Sequence, residues 1–313
     1  MAGRHALTHR RWLPLVAVLW ALALAATPTP SRAQTQPLVP RRSLTPLARA
    51  QARYLIICAD GVGYDLLEEM YRAGELRYFY PPSPLITAFP TLSNTSLVEI
   101  LAPLGAPPAR GYEDYYFDPE ENKLRGGFFH RFSRKQFVDT TYRVIFHYYP
   151  HPIGMTFEYA LPVFGPWLGG WINLARIKRS FLRSPEPVFL AYLDSTDPAA
   201  HVSGKWLLRD LLRRIDGLAG DLMHNSAQPV EVIVFSDHGN QFHRMRRAKL
   251  AAALARAGFR VQKELKEPQS VVLPQYGLIG SAVLYTWPGQ EHPVALTLRE
   301  APGVDFVAYR CGN

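Results

Sequence analysis

Three short apolar runs, none of them alternating with polar residues, each end on an acidic residue and a turn. They are Tyr54-Leu55-Ile56-Ile57-Cys58-Ala59-Asp60-Gly61, Val188-Phe189-Leu190-Ala191-Tyr192-Leu193-Asp194, and Val232-Ile233-Val234-Phe235-Ser236-Asp237-His238-Gly239. Uninterrupted apolar runs of this length are what strands covered on both faces of a parallel sheet look like. Between the second and third, Leu208, Leu211, Leu212, Ile215, Leu218 and Leu222 recur at helical spacing across Trp206 to Met223, which predicts a βαβ unit. An Ala-rich helix is expected from Arg247 to Ala257, closed by Gly258, with a strand beginning at Phe259-Arg260-Val261 and a strand-like stretch at 304–309. The predicted architecture is α/β: a doubly wound, mostly parallel sheet with flanking helices. Ligands of such open sheets bind beyond the carboxyl ends of the strands, so the three acidic strand ends are expected to meet in one place.

Residues 111–184 break this pattern. They are crowded with Tyr, Phe and Trp and with Arg125, Arg131, Arg134, Lys135 and Arg143, and are expected to form an inserted, aromatic-rich cap over the sheet end. The chain start differs again. Arg4, Arg10 and Arg11 precede an apolar run from Trp12 to Ala26, and Ser31-Arg32-Ala33 offers small residues at a cleavage position, so residues 1–33 read as a signal peptide. Residues 34–50, rich in Pro, Gln, Arg and Thr, read as a linker, leaving the domain at 51–313. Export to the periplasm or outside the cell is the expectation, with no membrane-spanning segment in the mature chain.

Composition adds bounds. Of 313 residues, 48% are hydrophobic and 19% charged, as in an ordinary globular chain able to bury a sizeable core. The formal charge of +9, less the four arginines of the leader, leaves +5, a modest excess compatible with an anionic substrate. The basic residues form no long patch and no recognition motif, so no specific nucleic-acid partner is expected. Two cysteines, Cys58 and Cys311, make no disulfide framework, and Cys58 falls inside a predicted buried strand.

The polar residues at the strand ends carry the chemistry. Asp237-His238-Gly239 sets a carboxylate and an imidazole side by side, with a glycine that lets the backbone turn away. Asp197 and His201 stand at i and i+4, the spacing of one helical face. Mixed oxygen and nitrogen donors suit a divalent ion, zinc first. Two such pairs plus Asp60 suggest two ions about 3.5–4 Å apart, the arrangement that clamps both oxygens of a phosphoryl transfer. Ser93-Asn94-Thr95-Ser96 precedes a helix expected to start near Leu97; these residues suit a helix cap, and a helix start also favours phosphate.

In this order of motifs the chain resembles the alkaline phosphatase superfamily, in its type I phosphodiesterase/nucleotide pyrophosphatase branch. The matching stretches are Ala59-Asp60-Gly61, Phe89-Pro90-Thr91-Leu92-Ser93, Asp197-x3-His201-x2-Gly204 and Ser236-Asp237-His238-Gly239, and the likeness covers most of residues 53–310. It implies an alkaline phosphatase-like fold, with Asp60, Ser93, Asp237 and His238 around one ion and Asp197 and His201 holding a second, both most simply Zn2+. It implies Ser93 as nucleophile, with Thr91 in reserve. Two features depart from the family pattern: Leu101-Ala102-Pro103 stands where a Thr-Gly is usual, and no Gly-x-His-Gly-like turn supplies a third metal-binding histidine, for which His243 or His292 could substitute.

The function implied is an exported, metal-dependent hydrolase of phosphodiesters or phosphomonoesters working through a covalent phosphoserine, with a small-molecule phosphate ester as partner. The alternative, motivated by the missing histidine, is a non-catalytic exported binding protein that keeps the fold with an incomplete two-metal site.

Overall fold

The computed structural model describes residues 52–89, 91–106, 115–126, 140–242, 247–274 and 280–310. The expected signal peptide and linker, Arg131, Arg134, Lys135, His243 and Cys311 lie outside the described residues.

The centre is a three-stranded parallel sheet. Strand β1 (Arg53–Ala59) lies between β4 (Val188–Leu193) and β5 (Val230–Phe235). Cys58 pairs with Tyr192 on one side and with Phe235 on the other. Parallel neighbours need crossovers long enough to return the chain to the same edge, and helices supply them. Helix α1 (Tyr64–Arg72) follows β1; α2 (Ser93–Leu101), α3 (Pro152–Ala160) and α4 (Phe164–Arg183) precede β4; α5 (Lys205–Asn225) joins β4 to β5.

Side-chain alternation gives each face of β1 its own core. Leu55, Ile57 and Ala59 pack with Leu66 and Met70 of α1, Ile177 and Phe181 of α4, and Leu207, Leu208, Leu211 and Ile215 of α5. On the other face, Ile56 and Cys58 meet Leu97, Val98 and Leu101 of α2, together with Tyr142 and Phe146. Helices therefore cover both faces, as the unalternating apolar runs require. Helix α4 lies within the stretch expected to cap the sheet, and its Ile177 and Phe181 pack on the sheet face.

Several expectations need correction. The strand expected at Phe259-Arg260-Val261 forms as β6 (Arg260–Gln262), but it pairs with β7 (Ser270–Val272), itself antiparallel to β8 (Tyr285–Thr286), in a second sheet of three strands. Strands β2 (Tyr115–Asp118) and β3 (Lys123–Gly126) make a separate antiparallel pair. Residues 304–309 form no strand. The Ala-rich helix, α6 (Leu250–Arg256), begins three residues later than expected, and α7 (Glu291–Arg299) packs beside it through Leu254, Val294 and Leu298. No described helix is long and apolar enough to cross a membrane.

Candidate functional site

Register and parity bring two of the three acidic strand ends together. Because Cys58 pairs with Phe235, Asp60 and Asp237 leave the sheet two residues later at the same level. Both continue the parity of the face on which α2 packs, so their side chains meet the start of that helix. Asp194, at the third strand end, departs from this expectation. The chain turns after Leu193, and Asn173 of the buried α4 face captures the carboxylate, its Nδ2 donating to Asp194 Oδ1 at 3.0 Å.

Asp60 and Asp237 are buried, Asp237 completely. Asp60 Oδ1 accepts from the Ser93 hydroxyl at 3.3 Å and lies 3.3 Å from His238 Nε2. Asp60 Oδ2 accepts from the Tyr192 hydroxyl at 2.5 Å. Asp237 Oδ1 accepts the Gly61 N–H at 3.3 Å, whereas its Oδ2 is buried with no hydrogen-bond partner and lies 3.7 Å from His238 Nε2. One donor atom from each of Asp60, Asp237 and His238 falls within 4.8 Å of the other two. Burial raises the Asp237 carboxyl above the ordinary range, against the pull of His238 and the Gly61 N–H. Two buried carboxylates and an imidazole, one oxygen among them orphaned, fit a divalent cation, the group that would satisfy all three.

Ser93 opens α2. Leu92, extended at φ −125°, is its cap and gives no side-chain hydrogen bond, so Ser93 to Ser96 form the first helical turn rather than capping a helix that starts at Leu97. Ser96 N–H bonds to the Leu92 carbonyl. The N–H groups of the three preceding residues have no partner within the helix, which makes this end attractive to an anion. Ser93 Oγ lies 2.9 Å from His238 Nε2. Thr91 is exposed and shares no hydrogen bond with this group among the described residues.

Asp197 and His201 do not lie on one regular helix. A turn at Thr196–Pro198 runs into a π-helical turn at Ala199–Ser203, and the two side chains engage each other, His201 Nε2 lying 3.2 Å from Asp197 Oδ1. The Tyr159 hydroxyl donates to Asp197 Oδ2. Burial would raise the Asp197 carboxyl, but the contact with His201, the Tyr159 hydroxyl and the charge of His238 outweigh it and hold it below the usual range. The same contact raises His201 despite its partial burial. Gly61 brings this pair against the first group: at φ +70°, a Cβ there would stand 2.5 Å from Asp197 Oδ1. His292 bonds to the Tyr309 hydroxyl at 2.6 Å and is not in the Asp60-Asp237-His238 group.

Sequence reading missed four supporting residues. Tyr192 is the one polar-tipped side chain on its face of β4, a signal that could have marked it. Tyr159 stands among many aromatics and carried no signal. Thr87 donates to the Asp237 carbonyl at 2.8 Å, and Ser236 donates to the His238 carbonyl at 2.6 Å while accepting the Val62 N–H at 2.9 Å. These bonds fix the loops that carry Asp60, Asp237 and His238. No protein-family model matches the chain, and no curated protein matches it.

Proposed function

We propose that the chain is a metal-dependent phosphohydrolase, akin to the alkaline phosphatase superfamily, that cleaves a phosphate mono- or diester through a covalent phosphoserine at Ser93. The observation that carries this reading is the position of Ser93 Oγ, at a helix start and within 3.3 Å of both Asp60 and His238, two members of the buried ligand group. Asp60, Asp237 and His238 would hold one ion, and Asp197 and His201 a second, zinc being the first choice for both. Such an ion supplies positive charge that favours the serine alkoxide and offsets charge building on the phosphoryl oxygens.

The chain's own residues do the rest. Unused N–H groups at the start of α2 bind phosphoryl oxygens and set the phosphorus beside Ser93. Asp60 Oδ1 accepts from the Ser93 hydroxyl and would hold it toward the phosphorus, with His238 Nε2, 2.9 Å from Oγ, left to the ion. The Ser93 proton passes to Asp60 as a bond forms from Oγ to phosphorus and the bond from phosphorus to the leaving oxygen breaks, the proton going on to that oxygen; water later attacks the phosphorus, cleaves the Oγ–P bond and returns a proton to Oγ. With the leader expected at residues 1–33, the reaction is proposed to run in the periplasm or outside the cell.

One observation favours a second reading, an exported binding protein: Asp197 is already engaged by His201 and Tyr159. Acid-quenching the purified chain after brief exposure to nitrophenyl phosphate, or to a nitrophenyl nucleotide diester, and mapping the peptides by mass spectrometry separates the two. Phosphate on Ser93 is expected. Label on Thr91 would move the nucleophile by two residues, and no label together with no bound zinc under metal-replete conditions would favour the binding protein.

A further inference from the structure

One polar residue interrupts the apolar face that α2 turns to the sheet. Asn94, Leu97, Val98 and Leu101 fall at the i, i+3, i+4 and i+7 spacing of one helical face, and the three apolar ones are buried. A polar group on such a face needs a partner. Asn94 finds Tyr142, whose hydroxyl donates to its Oδ1. Tyr142 is 1% exposed and packs in one cluster with the same three apolar residues, although it comes from the aromatic stretch expected to cap the sheet. Its neighbour in the 3-10 turn at Thr140–Ile145, Arg143, hydrogen-bonds to the Tyr142 hydroxyl and stands 5.1 Å from the centre of the Tyr149 ring. Tyr149 stacks on Tyr192 with 4.8 Å between ring centres, and Tyr192 donates to Asp60 Oδ2.

These contacts end on both sides of Ser93, at the residue that follows it and at the carboxylate that accepts from it. The proton inventory fixes the Asn94 amide. A guanidinium only donates, so it occupies the Tyr142 oxygen and leaves the phenol's single proton for Asn94. The atom of Asn94 that faces Tyr142 must then be the acceptor, Oδ1. With the amide turned over, two donors would meet at the phenol oxygen and the Tyr142 proton would be buried without an acceptor, a costly state at so enclosed a site. Nδ2 is therefore turned away from Tyr142, in the first turn of α2, one residue on from Ser93. That is the turn whose unused N–H groups already favour an anion. A carboxamide held this way, its oxygen taken, offers donors only.

We propose that Asn94 is a phosphoryl-binding residue: its Nδ2–H donates to a non-bridging oxygen of the phosphoryl group attacked by Ser93, and Tyr142, backed by Arg143, is the positioning residue that keeps the amide in that orientation. The proposal rests on the phosphohydrolase reading above and adds to it a side-chain donor that the chain itself supplies.

The test uses the zinc-loaded full chain, with inorganic phosphate as the probe of binding by calorimetry and the nitrophenyl esters as the probe of turnover. Asn94→Ala should weaken phosphate binding and lower kcat/KM by about tenfold to a hundredfold, with zinc content unchanged. Tyr142→Phe takes away only the hydroxyl and should lose about tenfold. In the Asn94→Ala background the same change should lose nothing further, since its effect runs through the amide; independent packing defects would instead multiply. Arg143→Lys still donates to the phenol oxygen and should stay near wild type, whereas Arg143→Met should fall with Tyr142→Phe. Asn94→Asp keeps the shape and the acceptor for Tyr142, so it reports the lost donor even if Asn94→Ala unfolds, and should bind phosphate no better than Asn94→Ala. A wild type that hydrolyses either ester, matched in phosphate binding and turnover by Asn94→Ala and Asn94→Asp, would overturn this inference and leave the phosphohydrolase reading standing. So would losses that multiply in the double variant. A wild type that neither binds phosphate nor cleaves an ester would overturn both.

Discussion

Replacing Asp237 by Asn should stabilise the metal-free chain and destabilise the metal-loaded one. The carboxylate has no exposed surface, its Oδ2 has no hydrogen-bond donor, and the nearest imidazole nitrogen is 3.7 Å away. A buried acceptor left in this state costs about 1–3 kcal/mol, and more when charged. Asn keeps the oxygen that accepts from Gly61, removes the charge, and offers an amide donor to the neighbouring carboxylates. In EDTA the variant should therefore gain about 1–3 kcal/mol, or roughly 2–10 °C in melting temperature for a chain of this size. Zinc should reverse the order. An ion present at a thousand times its dissociation constant stabilises the wild type by about 4 kcal/mol, and most of that gain should vanish with the ligand. The pH sign is fixed: the folded carboxyl sits above its unfolded value of 3.8, so its favourable contribution is complete below that value and is lost as pH rises through the folded one. The gain in EDTA should accordingly grow with pH. Thermal unfolding followed by circular dichroism, in EDTA and across a zinc titration, checks each part. An Asn variant less stable than wild type in EDTA and equally stabilised by zinc would refute the reasoning.

Gly61→Ala places a Cβ 2.5 Å from Asp197 Oδ1 at φ +70° and should cost about 1–3 kcal/mol, so an unchanged denaturant midpoint would contradict the packing described. Burial raises Glu158 to about 8 and, beside it, Asp194 to about 7. Both folded values exceed the unfolded ones, so their favourable contribution is complete below about pH 4 and is lost as pH rises through 7–8. Glu158→Gln should flatten this loss, and parallel pH–stability curves for variant and wild type would count against it. Tyr192→Phe removes the donor on Asp60 Oδ2, a bond worth about 1 kcal/mol, and should weaken zinc binding several-fold by equilibrium dialysis; unchanged affinity would exclude a positioning role.

The elements most legible in the sequence were those whose burial is two-sided. The run ending at Asp60 could be read as a central strand because apolar residues without alternation have few other uses, and the leucines of α5 marked the crossover from β4 to β5; the run ending at Asp237 has the same pattern but lies at the edge of the described sheet, with Ile233 44% exposed. Strand order was not legible. That β1 lies between β4 and β5, and so brings Asp60 beside Asp237, follows from tertiary packing that no local pattern encodes. Asp194 shares the signature of the other two strand ends, yet a single residue 21 positions earlier, Asn173, redirects it. Ser93 to Ser96 favour caps by propensity, but Leu92 takes that position because its extended backbone suffices, which leaves Ser93 inside the first turn. The stretch at 304–309 has strand composition and forms no strand.

The most direct test of the central claim is turnover of nitrophenyl phosphate and a nitrophenyl nucleotide diester by the purified chain and its Ser93→Ala variant, with EDTA and with zinc restored. Hydrolysis of at least one ester should vanish in EDTA and return with zinc, and Ser93→Ala should lower it by roughly a thousandfold or more. Equal rates with and without the metal, or full turnover by Ser93→Ala, would contradict the account, as would a chain that binds zinc and cleaves neither ester.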